Sequence, residues 1–265
     1  MSRQEAWTAY HDVLKNILNG IKDPDTEIEV HGITKIGGVA SQYRYLEYLE
    51  TGEVMENLQT AMSRGFDGFL IGNICDPGLY QCREITNIPV LGLCETSLHL
   101  ACMMGANYSL VTINEKFTPR ILENVARYRL ESRLISVKRM DVDRTQDLDS
   151  GFTNEEARKA HVKRFMDAAD ATIDAGAEVV IPAGGGVMTL LAHSGIYTAS
   201  RGTPILNAIT ALVKMGEMAV KLDRIMGGNF TSKRLTYAPP GSNQIDEIRK
   251  YYGDIYPTVK SPAKG

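Results

Sequence analysis

The sequence predicts an α/β fold of two similar Rossmann-like units, with parallel sheets related by pseudo-twofold symmetry and the functional site between them. Three observations lead there. Apolar strand patterns alternate with helical ones along the chain, the rhythm of parallel βαβ units. Two stretches are built alike: FDGFLIGNICDPGLYQCREITNIPVLGL (66–93) and AEVVIPAGGGVMTLLAHSGIYTASRGTPILNA (177–208) each run strand, short turn, helix and Pro-led strand. The turn carries Cys75 in the first copy and Gly184, Gly185 and Gly186 in the second. One wall of a shared cleft would therefore offer a thiol, and the other only backbone N–H groups.

The elements follow in order. Residues 5–19 place Trp7, Tyr10, Val13, Leu14, Ile17 and Leu18 at helical spacing and predict an opening helix. Residues 26–33 alternate enough for a strand, and 43–64 read as a helix. A strand follows over 66–75. After it, Asp76 suits an N-cap and Pro77 the first helical position, so a helix is expected directly beyond Cys75. Strand 89–93 runs into a helix over 96–104, and strand 108–113 precedes a helix opened by Thr118-Pro119. Residues 134–142 read as a strand and the polar stretch 143–152 as a mobile connection. Thr153-Asn154-Glu155-Glu156 is a capping-box start for a long helix to about residue 176. Strand 179–183, helix 187–192 and strand 204–206 make the second copy. Residues 209–226 form the last long helix, expected to pack back on the first unit, and 243–252 a short helix. The first unit is drawn as 1–114 plus 208–240, the second as 115–207, with 241–265 as a C-terminal tail.

A chain of 265 residues can bury a substantial core. Its 43% hydrophobic and 23% charged residues are ordinary for a globular protein. A net charge of -3 creates no basic field for nucleic acid or anionic lipid, so neither is expected as a partner. No apolar run approaches a membrane span, and the polar, amphipathic N-terminus does not read as a secretory signal. Cys75, Cys82, Cys94 and Cys102, spaced 7, 12 and 8 apart, form neither a disulfide framework nor a zinc pattern. The expected setting is cytoplasmic, with reduced thiols, no metal, and the N-x-S/T matches at Asn107 and Asn229 arising by chance. The expected partners are a small-molecule carboxylate or cyclic amide and further copies of the chain in a homo-oligomer.

Parallel α/β sheets bind ligands at the carboxyl ends of their strands. Cys75 ends a strand and precedes an expected helix start, where free N–H groups and the helix dipole favour a thiolate. The alternative is a small buried hydrophobe at a strand end. Gly184–Gly186 lets the backbone approach a ligand and opens a helix that can hold an anion, although a tight turn without ligand looks the same in sequence. Thr96, Ser97 and Thr112 lie at equivalent strand ends and either cap backbone or bind a carboxylate. Glu95 is an acid, a base or a residue complementing a helix dipole. The histidines at 11, 31, 99, 161 and 193 show no paired spacing.

At these residues the chain resembles the aspartate/glutamate/hydantoin racemase superfamily, nearest its hydantoin-racemase-like branch. The matching stretches are CDPGL with the following CRE, IPVLGLCETSLHLA, YSLVTINEKFTPRILENV, AGAEVVIPAGGG and, near the C-terminus, KRLTYAPP. The resemblance runs over about residues 27–240. It implies two α/β units around one active site that needs no cofactor. It further implies two cysteines on opposite faces of the substrate, one removing the α-proton and the other returning one. Cys75 matches the first. The second belongs where this chain has Gly184 or Gly185, and no cysteine follows Cys102. Family members also open with a strand ending in an Asn-Pro-Asn-type turn. This sequence opens at the following helix, so the expectation is a strand encoded upstream.

The expected activity is cofactor-independent isomerase or racemase-like chemistry. Cys75 is the catalytic residue, and Asp76, Thr96, Ser97, Thr112, Gly184, Gly185 and Gly186 are the substrate-binding candidates. Within the same resemblance, a decarboxylase or lyase uses one thiol to protonate a carbanion, and some cis–trans isomerases use the first cysteine as a nucleophile. The alternative outside enzymes is a small-molecule binding protein. A racemase here would need a second base other than cysteine, sought among His193, Tyr197 and Glu95.

Overall fold

Parallel pairing organises the chain, as its alternating pattern requires. The structure, a computed structural model, describes residues 2–257 apart from Gln4. Strand β1 (Phe69–Ile71) pairs in parallel with β2 (Val90–Gly92), Phe69 opposite Val90. A second sheet places β3 (Tyr108–Thr112) between β4 (Leu134–Arg139) and β5 (Val180–Ala183), both parallel to it. All five residues of β3 are buried, so its backbone groups need ladder partners on both edges. A unit boundary at 114 therefore separates β3 from both strands that satisfy it.

Ten helices surround these sheets among the described residues: α1 (Thr8–Ile21), α2 (Arg44–Arg64), α3 (Leu79–Ile85), α4 (Leu93–Met104), α5 (Phe117–Arg127), α6 (Ser150–Thr153), α7 (Glu155–Asp174), α8 (Gly185–His193), α9 (Ala208–Ile225) and α10 (Ser242–Tyr252). None of them is long and apolar enough to cross a membrane. Helix α9 returns from the second sheet onto β1, β2 and α4, as expected. Gly216 permits that close approach, since a Cβ there would meet Leu70 at 2.9 Å. The main core gathers Leu110, Val111, Ile121, Phe165, Ile181 and Met188 from both faces of the β3 sheet. A smaller core of Val54, Leu58, Ile71, Leu79, Cys82, Ile85 and Val90 seals α2 and α3 to the first sheet.

Several local expectations need correction. Residues 26–33 form no strand. Ile33 makes one parallel bridge, with Arg3, and the preceding residues have no ladder partner in a named strand. The stretch 143–152 is not a loose connection: it winds into a 3-10 turn and α6, burying Leu148 and Phe152. Phe152 packs edge-on against Tyr10 with ring centroids 5.7 Å apart. A polar sequence masked two apolar anchors. Residues 204–206 bridge Val180 and Thr198 at single positions instead of forming a strand. Helix α7 is capped by Asn154, whose side chain accepts from Ala157 N at 3.0 Å, one position later than the capping-box reading.

Helix α2 buries carboxylates where an amphipathic helix buries apolar groups. Glu53 accepts from Thr34 N and Thr34 Oγ1, both at 2.7 Å, and from Lys35 N at 3.0 Å. Glu50 accepts from Gly38 N at 2.8 Å. These bonds strap residues 34–38 along the helix, and the following Ser41 and Gln42 accept hydrogen bonds from Arg120 and Asn114. Charge-assisted bonds to buried acids are the strong ones. Glu53→Ala is therefore expected to lower stability by about 2–3 kcal/mol and to loosen this strap. Urea denaturation, together with proteolysis at residues 34–38, measures both effects.

Candidate active site

The turn after β1 carries Cys75, but not in the expected setting. Asn73 accepts the Cys75 N–H at 2.8 Å, Asp76 sits at φ 47°, and Gly78 at φ 71° is the N-cap of α3, which starts at Leu79. The helix therefore opens four residues beyond the thiol, and its free N–H groups do not bind the sulfur. The expectation of a lowered thiol pKa is corrected. Burial pushes Cys75 up to about 12, with Glu47 and Asp76 adding to the rise and Arg120 opposing it.

Asp76 does cap a helix, though not its own. Its carboxylate reaches across to α4, accepting from Cys94 N and Glu95 N, each at 2.9 Å, and from Tyr128 Oη at 2.7 Å. Burial raises Asp76 to about 7 while the three donors pull the other way. Gly92 leaves room for this carboxylate, because a Cβ there would stand 2.5 Å from Asp76 Cγ. Gly92→Ala is expected to push Asp76 off the α4 amides and cost about 2 kcal/mol, read from the denaturation midpoint.

Cys75 faces a polar cluster assembled from distant helices. Arg120 of α5 and Glu47 of α2 both act on the thiol electrostatically, in opposite directions. Glu47 is ion-paired with Arg120 of α5, and Arg120 also donates to Ser41 O at 2.6 Å. Only 5% of the Arg120 side chain and 18% of the Glu47 side chain are exposed, so this pair is largely withdrawn from solvent. Asn114, beyond β3, donates to Gln42 Oε1 at 3.3 Å and accepts from Lys116 N and Phe117 N, capping α5. Neither Glu47 nor Arg120 was singled out in the sequence. Each reads there as an ordinary charge on a helix, and only folding sets them against Cys75.

The second copy's turn is brought to the first. Gly184, at φ 176°, is the N-cap of α8, and Gly185 and Gly186 occupy its first turn. A Cβ at Gly185 would lie 3.1 Å from Gly72 O, in the turn leading to Cys75, and 3.6 Å from Tyr10 Oη. Burial raises Tyr10 to about 12, with Thr189 of α8 opposing the rise. A Cβ at Gly184 would meet Ile113 Cδ1 at 2.7 Å. None of the three glycines lies in the left-handed region, the φ of Gly184 being extended backbone, so what they provide is room for the β1 turn and Ile113.

The other candidates divide. Thr96 is buried on the first turn of α4. Ser97 Oγ donates to Leu93 O at 2.5 Å, and Thr112 Oγ1 pairs with Thr118 Oγ1 at 2.7 Å, so both hydroxyls are occupied within the protein. Glu95 is held by Arg83 at 2.9 and 2.5 Å. His193 lies beside Phe152, and Tyr197 is about half exposed. Lys233, from the KRLTYAPP stretch, donates to the carbonyls of Arg83, Glu84 and Thr86, closing the C-terminal end of α3.

Comparison with known proteins agrees with this architecture. The chain is 27% identical over 239 residues to the hydantoin racemase of Pseudomonas sp. (strain NS671), covering 89% of each chain. It is 26% identical over 195 residues to that of Rhizobium meliloti, covering 73% of this chain and 75% of the other. The allantoin racemase structure from Pseudomonas fluorescens superimposes with TM-score 0.69 at 25% identity, covering 88% of this chain and 92% of that one. The allantoin racemase structure from Klebsiella pneumoniae, at 23% identity and TM-score 0.66, covers 88% and 89% and shares the two-unit α/β fold. The Asp/Glu/Hydantoin racemase family model matches residues 5–216, most of the chain and both equivalent turns, and the chain belongs to that family.

Proposed function

We propose that this chain is a cofactor-independent isomerase that moves a proton at an acidified carbon of a small carboxylate or hydantoin-type cyclic amide, with Cys75 as its one catalytic thiol. The observation that carries this reading is the meeting of the two equivalent turns, Gly72 O against Gly185, which sets the Cys75 turn beside the start of α8. Relatives named hydantoin racemase span the same stretch of sequence. In this reading the first-turn N–H groups of α8 lack intrahelical acceptors and stabilise the oxygen that gains charge as the carbon loses its proton. Thr96 adds a hydroxyl to the same end of the cleft. Cys75 carries the proton on its own face of the carbon.

Burial of Cys75 favours a second reading within the same family. A thiol held protonated suits proton delivery, so loss of carbon dioxide could create the carbanion that Cys75 then quenches. Incubation in D2O with 5-substituted hydantoins, amino acids and substituted malonates, followed by NMR with carbon dioxide recorded, separates the cases. Deuterium at the carbon without gas release supports the isomerase. Gas release with one labelled enantiomer identifies the lyase. Inertness across the panel with saturable binding leaves a non-catalytic binding protein.

The glycine turn gives a second test. Gly184→Cys should accept its side chain if Ile113 yields, so it is best combined with Ile113→Val. A thiol facing Cys75 from the second turn is expected to raise enantiomer interconversion by about 10²-fold. Chiral chromatography reads the rate. Rapid, equal interconversion by the unaltered protein would remove the one-thiol reading and require another base.

A further inference from the structure

Helix α2 turns a bare aromatic face to solvent, on the side away from its buried residues. We propose that this face is a self-association surface, on which the α2 helices of two copies of the chain pack antiparallel across a twofold axis. The proposal does not depend on which residue carries the chemistry.

The face follows from the helical repeat. Val54 and Leu58 are buried, and Tyr45, Tyr48, Leu49 and Gly52 fall on the opposite side of the same helix. Tyr45 is 71% exposed and Tyr48 76%, with Leu46 and Leu49 exposed beside them. Among the described residues neither tyrosine ring has a hydrogen-bond or stacking partner. The strap bonded to Glu50 and Glu53 adds Ile36, 66% exposed, and Val39 along the flank. These six side chains leave on the order of 600 Å² of largely apolar surface in water, at the top of what a monomer ordinarily exposes in one patch.

Area and charge select the occupant. One partner of a stable interface of standard size contributes about 800 Å², so the apolar patch and a polar rim together match half of such an interface. A twofold axis sets the surface against itself, so a single-sign field would repel. Here the centre carries no charge and the edges carry balanced pairs, Lys35 with Glu56 at 2.6 Å and Arg44 with Glu123 at 2.5 Å. The same balance offers nothing to an anionic lipid surface or to nucleic acid. Gly52 marks the crossing point. Glycine is a poor helix former, yet Gly52 sits inside a 21-residue helix, and beyond its own helix turn nothing lies within 4 Å of where its Cβ would stand. Packing within the chain therefore does not require it. On the exposed face it lets a second backbone approach, with Tyr48 and Leu49 of each copy beside Gly52 of the other. The antiparallel crossing also opposes the two helix dipoles.

Sedimentation velocity of the full chain at micromolar concentrations tests the proposal. The expected species has at least twice the 29.2 kDa mass of one chain. Tyr45→Lys combined with Tyr48→Lys places like charges opposite each other across the axis and should raise the dissociation constant by about 10²-fold or more. Both side chains point into water, so the far-UV circular dichroism and the urea midpoint of that variant should match those of the unaltered protein. A second variant works without weakening the face. Gly52→Cys treated with a short bismaleimide should give a covalent dimer on a denaturing gel, a band absent from the unaltered protein and lost when Tyr45→Lys and Tyr48→Lys are added. A chain that stays monomeric overturns the proposal, whether the face then stays bare or takes up phosphatidylcholine vesicles. An oligomer whose dissociation the double variant leaves unchanged, or one that gives no Gly52→Cys dimer, overturns it as well, because association then runs through another face.

Discussion

Cys75→Ala should lower deuterium incorporation into substrate by about 10³-fold, while Cys82→Ala, Cys94→Ala and Cys102→Ala retain most of the rate. The difference comes from where the four sulfurs lie. Cys82 is fully enclosed in the smaller core, its sulfur 3.9 Å from that of Met55. Cys94 is buried on the first turn of α4, and Cys102 lies near the other end of that helix. Cys75 alone lies in the turn that meets the start of α8, within the field of the paired Glu47 and Arg120. Truncating Cys82 or Cys94 removes a buried sulfur and should cost about 1–2 kcal/mol of stability, so rates are compared well below each variant's melting temperature. An alanine at 75 that leaves the exchange rate intact would end the assignment of chemistry to this thiol.

The largest loss of stability is expected from Asp76→Ala, about 3–5 kcal/mol. The variant strands two amides of α4, Cys94 N and Glu95 N, together with the Tyr128 hydroxyl, all of which donate to one carboxylate. Each buried donor left without an acceptor costs about 1–3 kcal/mol, and partial relaxation keeps the sum below the maximum. The positive φ of Asp76 adds to the cost, since alanine accepts that region less well than aspartate or asparagine. Asp76→Asn keeps an oxygen and the backbone preference and should lose about half as much. Tyr128→Phe removes one donor and should cost about 1 kcal/mol, less in the Asp76→Ala background, because the interaction is then already gone. Urea denaturation measures all four proteins. An Asp76→Ala midpoint equal to that of the unaltered protein would show that α4 finds its cap elsewhere.

Both predictions concern adjacent residues that the sequence presents as one motif, and the structure separates their roles. Cys75-Asp76-Pro77 reads as the start of a helix, and the residue types were right for capping. The helix capped is α4, 17 residues along, because Asp76 turns to positive φ and aims its carboxylate across the first sheet. Local capping rules weigh only neighbouring amides. Which amides come within 2.9 Å is settled by how β1 and β2 pair. The same limit explains residues 143–152, where polar composition suggested a loose link but Leu148 and Phe152 bury themselves against α8 and Tyr10.

The sequence by itself determined the α/β class, the parallel strands, the duplicated strand-turn-helix unit, the return of α9 to the first sheet, and the candidacy of Cys75 and the glycine turn. These are legible because they are written as periodicity, turn chemistry and repeated order within short windows. Only the tertiary structure decided that β3 belongs between β4 and β5, that Asp76 serves α4, and that Glu47 and Arg120 converge on Cys75 from α2 and α5. A helix whose charged residues look solvent-directed in sequence turns some of them inward once its buried face is set. No local pattern marks which acid and which base will meet: Glu47 and Arg120 are 73 residues apart in the chain and become partners only when their helices pack around the end of β1.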